Sequence, residues 1–143
     1  LIGSFRIGLV SMLPNLSPII ITLGIMGWTG IVLDAFTLMI GGIAIGLAVD
    51  DTIHYMHNFR RYFQQSGDVR RANRETLLTT GHALLVTSVV LSAGFLIFIF
   101  AEMNNLYYFG LLTSITIANA FVIDILVSPA LMALLHRDAA RKS

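Results

Sequence analysis

The chain has 143 residues, of which 56% are hydrophobic and only 12% are charged. An ordinary soluble domain carries about 25% charged residues, so this composition excludes a typical soluble domain and indicates a membrane protein. The sequence contains no cysteine, which excludes disulfides and thiolate metal sites. Nothing in the composition favours nucleic acid as a partner.

Four apolar segments predict four transmembrane helices, at about residues 7–27, 36–59, 83–101 and 106–135. Each segment is long enough to cross the roughly 30 Å hydrocarbon core of a bilayer. An all-α membrane protein with four crossings is therefore predicted.

The basic residues are distributed unevenly around these segments, although the formal net charge is only +1. The nine Lys and Arg residues fall near Arg6, between Arg60 and Arg74, and after residue 136. The connections around Trp28 and Glu102 contain none. By the positive-inside rule, both ends of the chain and the connection between the second and third helices are cytoplasmic.

The second connection is predicted to be a cytoplasmic basic loop at residues 60–80. Asp68 is a suitable N-cap for a short surface helix within it. Its arginines suit anionic lipid headgroups as well as they suit the topology rule. A solvated loop that sets orientation is the simpler reading.

Two adjacent carboxylates, Asp50 and Asp51, lie in the apolar run LMIGGIAIGLAVDDTIHY. A charged side chain within a membrane costs roughly 2.5–3.5 kcal/mol on insertion scales, so it persists mainly where it faces protein or a wet pathway. Paired carboxylates also repel each other, which favours proton exchange. The pattern predicts a proton-binding site, with a buried hydrogen-bonded cluster as the structural alternative.

A stripe on the same helix surrounds this acid pair. Gly42, Gly46, Asp50 and His54 recur every four residues and share one helix face. The glycines predict a groove for a neighbouring helix. The ring of His54 can reach either carboxylate, which adds a titratable group to the predicted proton relay.

The third and fourth helices supply further polar candidates. Asp124 lies on a stripe with Thr113, Thr116, Ala120 and Ser128, and is either a second proton site or a hydrogen-bond anchor between helices. Thr87 and Ser88 could hydrogen-bond a carboxylate, or their hydroxyls could bond their own helix backbone.

Other chemistries have little support in the sequence. Three ligands on one helix, Asp50, Asp51 and His54, rarely complete a metal coordination shell. No GxSxG, HExxH or phosphate-binding loop is present. We therefore predict no metal, no cofactor and no enzymatic activity.

The acid-bearing segment GIAIGLAVDDTIHYMHNFRRYF resembles the fourth or tenth transmembrane helix of resistance-nodulation-division (RND) transporters, especially the MMPL-like exporter branch. The upstream MLPNLSPIIITLGIMGWTGIVLD resembles the helix that precedes it. The segments GHALLVTSVVLSAGFLIF and FGLLTSITIANAFVIDILVSPALMALL resemble the family's last two helices. The VDDTIH variant and the basic C-terminus favour the C-terminal half.

The resemblance implies the C-terminal part of the membrane domain, helices nine to twelve, of a proton-driven exporter in the bacterial inner membrane. The parent would have two six-helix halves and large periplasmic domains. In the family, the acids that match Asp50 and Asp51 bind protons, and a hydroxyl on the penultimate helix, matched here by Thr87 or Ser88, assists them. The relay of RND drug pumps also uses a lysine on the partner half. No lysine occurs in this membrane region, so that part of the relay is either in sequence outside this chain or absent.

The implied partners are membrane lipids, a hydrophobic or lipid-like cargo and the remaining helices and periplasmic domains of the parent; homo-oligomerisation stays open. The alternatives are a sterol-sensing-type lipid-binding module and a purely structural bundle.

Overall fold

The computed structural model describes the backbone of residues 2–140 and the side chains of residues 15–134. Every regular element within that range is helical. The helices are α1 (Ile2–Thr29), α2 (Ala35–Ser66), α3 (Val69–Thr76), α4 (His82–Leu96) and α5 (Asn104–Ala140). A π-helical turn, Leu77–Gly81, joins α3 to α4, and a 3₁₀ turn, Ile97–Phe100, extends α4.

These elements form four helical rods. The first, second and fourth rods are α1, α2 and α5, and the third rod consists of α3, the π turn, α4 and the 3₁₀ turn, which follow one another without a break. Among the described residues, three helices are long and apolar enough to cross a membrane: Ala35–Ser66, Val69–Phe100 and Asn104–Leu134. The described apolar part of α1, Asn15–Thr29, is shorter, although α1 as a whole has 28 residues. The predicted all-α class is confirmed.

A glycine and a capping box form the connection between α1 and α2. Gly30 has a φ of 72°, a left-handed conformation that suits glycine after a helix C-terminus. The Asp34 carboxylate accepts a hydrogen bond from the Thr37 backbone N–H at 2.8 Å, and the Thr37 hydroxyl accepts one from the Asp34 N–H at 2.7 Å. This reciprocal arrangement begins α2 at a defined residue.

The connection between α2 and α3 is a tight turn. We call the end of the bundle that contains it the arginine end, because five arginines flank the turn: Arg60, Arg61, Arg70, Arg71 and Arg74. Gly67 adopts a φ of 64° and its N–H donates to the Phe63 carbonyl at 2.8 Å. The Asp68 carboxylate then accepts from the Arg70 N–H at 2.9 Å, so the predicted N-cap at Asp68 is confirmed.

The predicted loop at residues 60–80 is wrong, because these residues are almost entirely helical. α2 continues to Ser66, and α3 starts at Val69 and runs without a break into the third rod. The reason is tertiary packing: Ala72 and Thr76 on α3 are completely buried. The helix bounds otherwise extend beyond the predicted ones at both ends of every rod except the C-terminal end of the third.

Two apolar clusters hold the bundle together at opposite ends. Near the α1–α2 connection, the buried residues are Met26, Ile40, Phe109 and Leu112. At the arginine end they are Tyr55, Phe59, Ala72 and Met132. The side chains buried between the two clusters are largely polar, and this polar layer contains the candidate site.

Helices α4 and α5 approach each other so closely that, among the described glycines, Gly110 has no room for a Cβ atom. A Cβ atom at Gly110 would lie 2.5 Å from the Phe95 carbonyl oxygen and 2.6 Å from the Phe98 Cβ. Nearby, the Ser114 hydroxyl donates to the Ser92 carbonyl at 2.8 Å, which links the same two helices.

Candidate functional site

The centre of the polar layer contains two buried acids from different helices. Asp51 on α2 is 5% exposed and Asp124 on α5 is 4% exposed. Their carboxyl groups are close enough to interact electrostatically. The Oδ2 atom of Asp124 has no hydrogen-bond partner among the described residues. Because an unpaired buried carboxylate is costly, this arrangement favours a neutral carboxyl at one of the two positions.

The polar stripe predicted on α5 faces the interior of the bundle. Its five members are all buried: Thr113, Thr116, Ala120, Asp124 and Ser128. Two of the hydroxyls, those of Thr113 and Thr116, donate to backbone carbonyls one turn earlier on α5. Thr116 also shares a hydrogen bond with the Thr22 hydroxyl of α1, so the stripe connects α5 to a second helix.

Asp50 lies on a different side of α2 from Asp51. Successive residues on a helix are about 100° apart, and the Asp50 side chain is 67% exposed. The His54 Nε2 atom lies 3.7 Å from Asp50 Oδ1, as the spacing of four residues predicts. The two acids are adjacent in sequence but occupy different environments, because Asp50 is exposed and Asp51 is buried.

A cavity of about 410 Å³ opens between α2 and the third rod beside these residues. Asp50, Asp51 and His54 all line it from α2. Thr79 and Thr80 of the π turn line the opposite wall. Leucine and alanine side chains form much of the remaining lining, and the cavity extends from the exposed Asp50 to the buried Asp51.

The two hydroxyl candidates on α4 lie in different places. Thr87 lines the cavity, but its hydroxyl donates to the carbonyls of Ala83 and Leu84 at 3.2 and 3.0 Å. Ser88 is buried and does not line that cavity. The predicted role of either hydroxyl in a relay stays a prediction.

The two glycines of the predicted packing groove face outwards. Gly42 and Gly46 are exposed, and no atom of the described residues lies within 4 Å of a Cβ built at either position. The described residues therefore do not supply the neighbouring helix, and the packing groove stays a prediction. The stripe itself is continuous, because Asp50 and His54 are exposed on the same side.

Sequence reasoning missed several polar residues that complete the layer. The Thr52 hydroxyl donates to Asn15 Oδ1 at 2.9 Å, linking α2 to α1. The Asn58 amide donates to the Thr80 hydroxyl at 2.9 Å, linking α2 to the π turn. Asn58 lies four residues after His54, so an extended stripe could have identified it. The partner of Thr52 lies 37 residues away, and no local pattern indicates it.

Among residues 15–134, no group of three or more His, Asp or Glu side chains is arranged to hold a metal ion. The site consists of carboxyl, imidazole, hydroxyl and amide groups. Such groups can bind and release protons across a helix interface.

A helical bundle with buried acids between membrane-length helices indicates a multi-span membrane protein. Residues 2–143 match the model of the AcrB/AcrD/AcrF family, and the chain belongs to this family of RND transporters. This family is not an enzyme family.

One curated relative is similar over most of the chain. It is the protein named "Putative membrane protein MJ1562" of Methanocaldococcus jannaschii, 29% identical over 129 residues. The match covers 90% of the chain but 33% of the relative, so the chain spans about a third of that protein's length. No solved structure matches the chain significantly.

Proposed function

We propose that this chain forms part of the membrane domain of a proton-driven exporter and contains its proton-coupling site. The observation that carries this proposal is the pair of buried acids, Asp51 and Asp124. Among the described residues, one carboxyl oxygen of Asp124 has no hydrogen-bond partner. The proposed relay consists of Asp50, Asp51, His54 and Asp124, with Thr87 and Ser88 as assisting hydroxyls.

The physical argument starts from the cost of charge in a membrane. A carboxylate enclosed by apolar helices favours its neutral form unless a cation or hydrogen bonds stabilise the charge. Two enclosed carboxylates also disfavour a doubly ionised state. A proton that arrives or leaves therefore changes the charge at the α2–α5 interface, and this change can favour one helix arrangement over another.

Proton access is supported by the geometry on the open side of α2. Asp50 and His54 lie 3.7 Å apart at the cavity wall, so a carboxyl group and an imidazole face the same space. The cavity also touches Asp51. The proposed proton path runs from the cavity, through Asp50 and His54, to Asp51 and Asp124.

The cargo and location are proposed from the resemblance rather than from the site. The MMPL-like branch implies hydrophobic or lipid-like substrates, and the arginine end implies a cytoplasmic orientation by the positive-inside rule. We propose a bacterial inner membrane, with both ends of this chain cytoplasmic. The remaining helices and periplasmic domains would come from the parent protein.

The proposal is tested with the full-length protein in proteoliposomes. Proton uptake and cargo efflux would be compared between wild type and the variants Asp50→Asn, Asp51→Asn and Asp124→Asn. Loss of proton coupling in the Asp51→Asn variant, with normal thermal stability, is the expected result. Asp68→Asn is a matched control, because asparagine also caps helices well and Asp68 lies outside the polar layer.

Full proton coupling in all three variants would overturn the proposal. Binding of a sterol or another lipid without any transport would instead favour the sensing module. An experiment that adds a lipid to the Asp51→Asn variant separates the two, since a sensing module does not require a titrating acid at this position.

A further inference from the structure

The arginine end of the bundle presents five arginines, a surface that we call the arginine patch. All five are exposed: Arg60, Arg61, Arg70, Arg71 and Arg74. Within residues 15–134, none of them forms an ion pair with a carboxylate; the one ion pair there joins His54 and Asp50. The patch therefore concentrates five positive charges, which the nearby Asp68 and Glu75 offset only in part.

The patch lies where α2 leaves the hydrocarbon core. At 1.5 Å per residue, Arg60 lies about 38 Å along the helix from Ala35, whereas the hydrocarbon core is about 30 Å thick. With the capped start of α2 at one membrane surface, Arg60 and Arg61 reach the level of the headgroups at the other. The α2–α3 turn keeps the arginines of α3 at a similar level.

α3 presents its arginines from a fixed position. Its opposite face is buried through Ala72 and Thr76. The Asn73 amide donates to the Pro129 carbonyl of α5 at 3.0 Å, and the Tyr55 hydroxyl of α2 donates to Asn73 Oδ1 at 3.3 Å. Because the helix is already ordered, a ligand would order only the arginine side chains, which lowers the entropic cost of binding.

A cleft of about 330 Å³ is part of this surface. Tyr62, Gln65 and Ser66 line it from α2, and Arg71 and Glu75 line it from α3. It combines a guanidinium group with neutral hydrogen-bonding groups, a combination that suits a phosphate ester. Glu75 is the acid in the cleft, and its charge opposes the binding of an anion.

We propose that the arginine patch binds the phosphate headgroups of anionic phospholipids. The positive charge, the absence of ion pairs to carboxylates within residues 15–134 and the position at the membrane surface all suit this partner. The positive-inside rule depends only on the number of arginines, whereas headgroup binding also requires that the arginines be exposed and held on an ordered helix. This inference is independent of proton coupling, because the patch contains no member of the proposed relay.

The test uses the purified full-length protein in a neutral detergent. Phosphatidylglycerol or phosphatidylcholine would be titrated in, with native mass spectrometry as the readout for wild type and an Arg70→Gln/Arg71→Gln/Arg74→Gln variant. Each surface arginine contributes about fivefold to attraction of an anionic lipid, so the triple variant should bind phosphatidylglycerol roughly 100-fold more weakly. Its binding of phosphatidylcholine should stay unchanged.

Two further variants keep the test specific. Glu75→Gln should bind phosphatidylglycerol more tightly than wild type, because an opposing charge is lost. Replacing the same three arginines with lysine should retain most of the affinity if charge dominates. Raising the salt concentration should weaken binding by wild type more than binding by the triple glutamine variant, which keeps only Arg60 and Arg61 of the patch.

Equal affinity of wild type and the triple glutamine variant for phosphatidylglycerol would overturn the proposal. Displacement of the lipid by an equal concentration of inorganic phosphate would also overturn it, because a phospholipid gains from its acyl chains as well. Thermal unfolding of each variant, measured without added lipid, confirms that the substitutions leave the bundle folded.

Discussion

Asp50 and Asp51 are neighbours in the chain, yet α2 places one in a cavity wall and the other inside the bundle. The Asp50 side chain is 67% exposed and lies 3.7 Å from His54, whereas Asp51 is 5% exposed and interacts with Asp124 of α5. The two acids therefore suit different tasks. In the proposed relay, Asp50 is the acid that faces the cavity and Asp51 is the acid that lies at the helix interface.

Gly110→Ala should destabilise the bundle, whereas Gly94→Ala should not. A Cβ at Gly110 would meet the Phe95 carbonyl at 2.5 Å, while a Cβ at Gly94 meets nothing within 4 Å. Overpacking costs about 1–3 kcal/mol, and alanine in an exposed helical position gains roughly 0.5–1 kcal/mol over glycine. Thermal unfolding in detergent measures both, and equal stability of the two variants would contradict the close approach of α4 and α5.

Asp124→Leu should retain or increase stability, which distinguishes a proton site from a hydrogen-bond anchor. One carboxyl oxygen of Asp124 has no partner among the described residues, and replacing an unpartnered buried polar group with an apolar one is often neutral or stabilising. The control is Thr116→Val, which removes the hydrogen bond to Thr22 and should cost about 1 kcal/mol. A larger loss for Asp124→Leu than for the control would identify Asp124 as an anchor.

Asn73→Ala should loosen the arginine end of the bundle. It removes the acceptor of the Tyr55 hydroxyl and the donor to the Pro129 carbonyl. Leaving partly buried groups unpaired costs about 1–3 kcal/mol. Thermal unfolding and amide hydrogen exchange in α3 measure the effect. Gln64→Ala, at an exposed position of α2, should change stability by less than about 0.5 kcal/mol, and an equal effect of both substitutions would argue against the link.

Asp34→Asn should remove a pH dependence from the start of α2. The hydrogen bond from the Thr37 backbone N–H is the main cause that lowers the pKa of Asp34 below its ordinary value of 3.8. Because the folded-state pKa is lowered, the stabilising contribution is complete above 3.8 and is lost as the pH falls through the folded-state pKa. Unfolding measured between about pH 5 and pH 3 should show less acid sensitivity in the variant, since neutral asparagine caps at every pH.

The sequence predicts the membrane rods well because hydropathy and helix length are local properties. The N-cap at Asp68 and the contact between Asp50 and His54 are likewise local, since they span two and four residues. The loop prediction at residues 60–80 failed for the opposite reason. Arginine-rich α3 is polar as a sequence, but contacts with Pro129, 56 residues from Asn73, hold it in place.

In the candidate site, too, local spacing could be predicted from the sequence, whereas contacts between helices could not. A spacing of four residues places Gly42, Gly46, Asp50 and His54 on one face, and the structure exposes that whole face. The sequence also identified Asp124 as an intramembrane acid. It could not pair Asp124 with Asp51, or Asn15 with Thr52, because these residues come from different helices and their faces meet only after packing.

The sequence by itself determined the membrane class, the approximate centres of the helical rods and the alignment of side chains along each one. These follow from composition and from the 3.6-residue period of the helix, which needs no neighbour. Only the tertiary structure decided which face of α2 is buried and which acid is exposed. The physical reason is that burial depends on another helix covering a face, and a single helix contains no information about its neighbour.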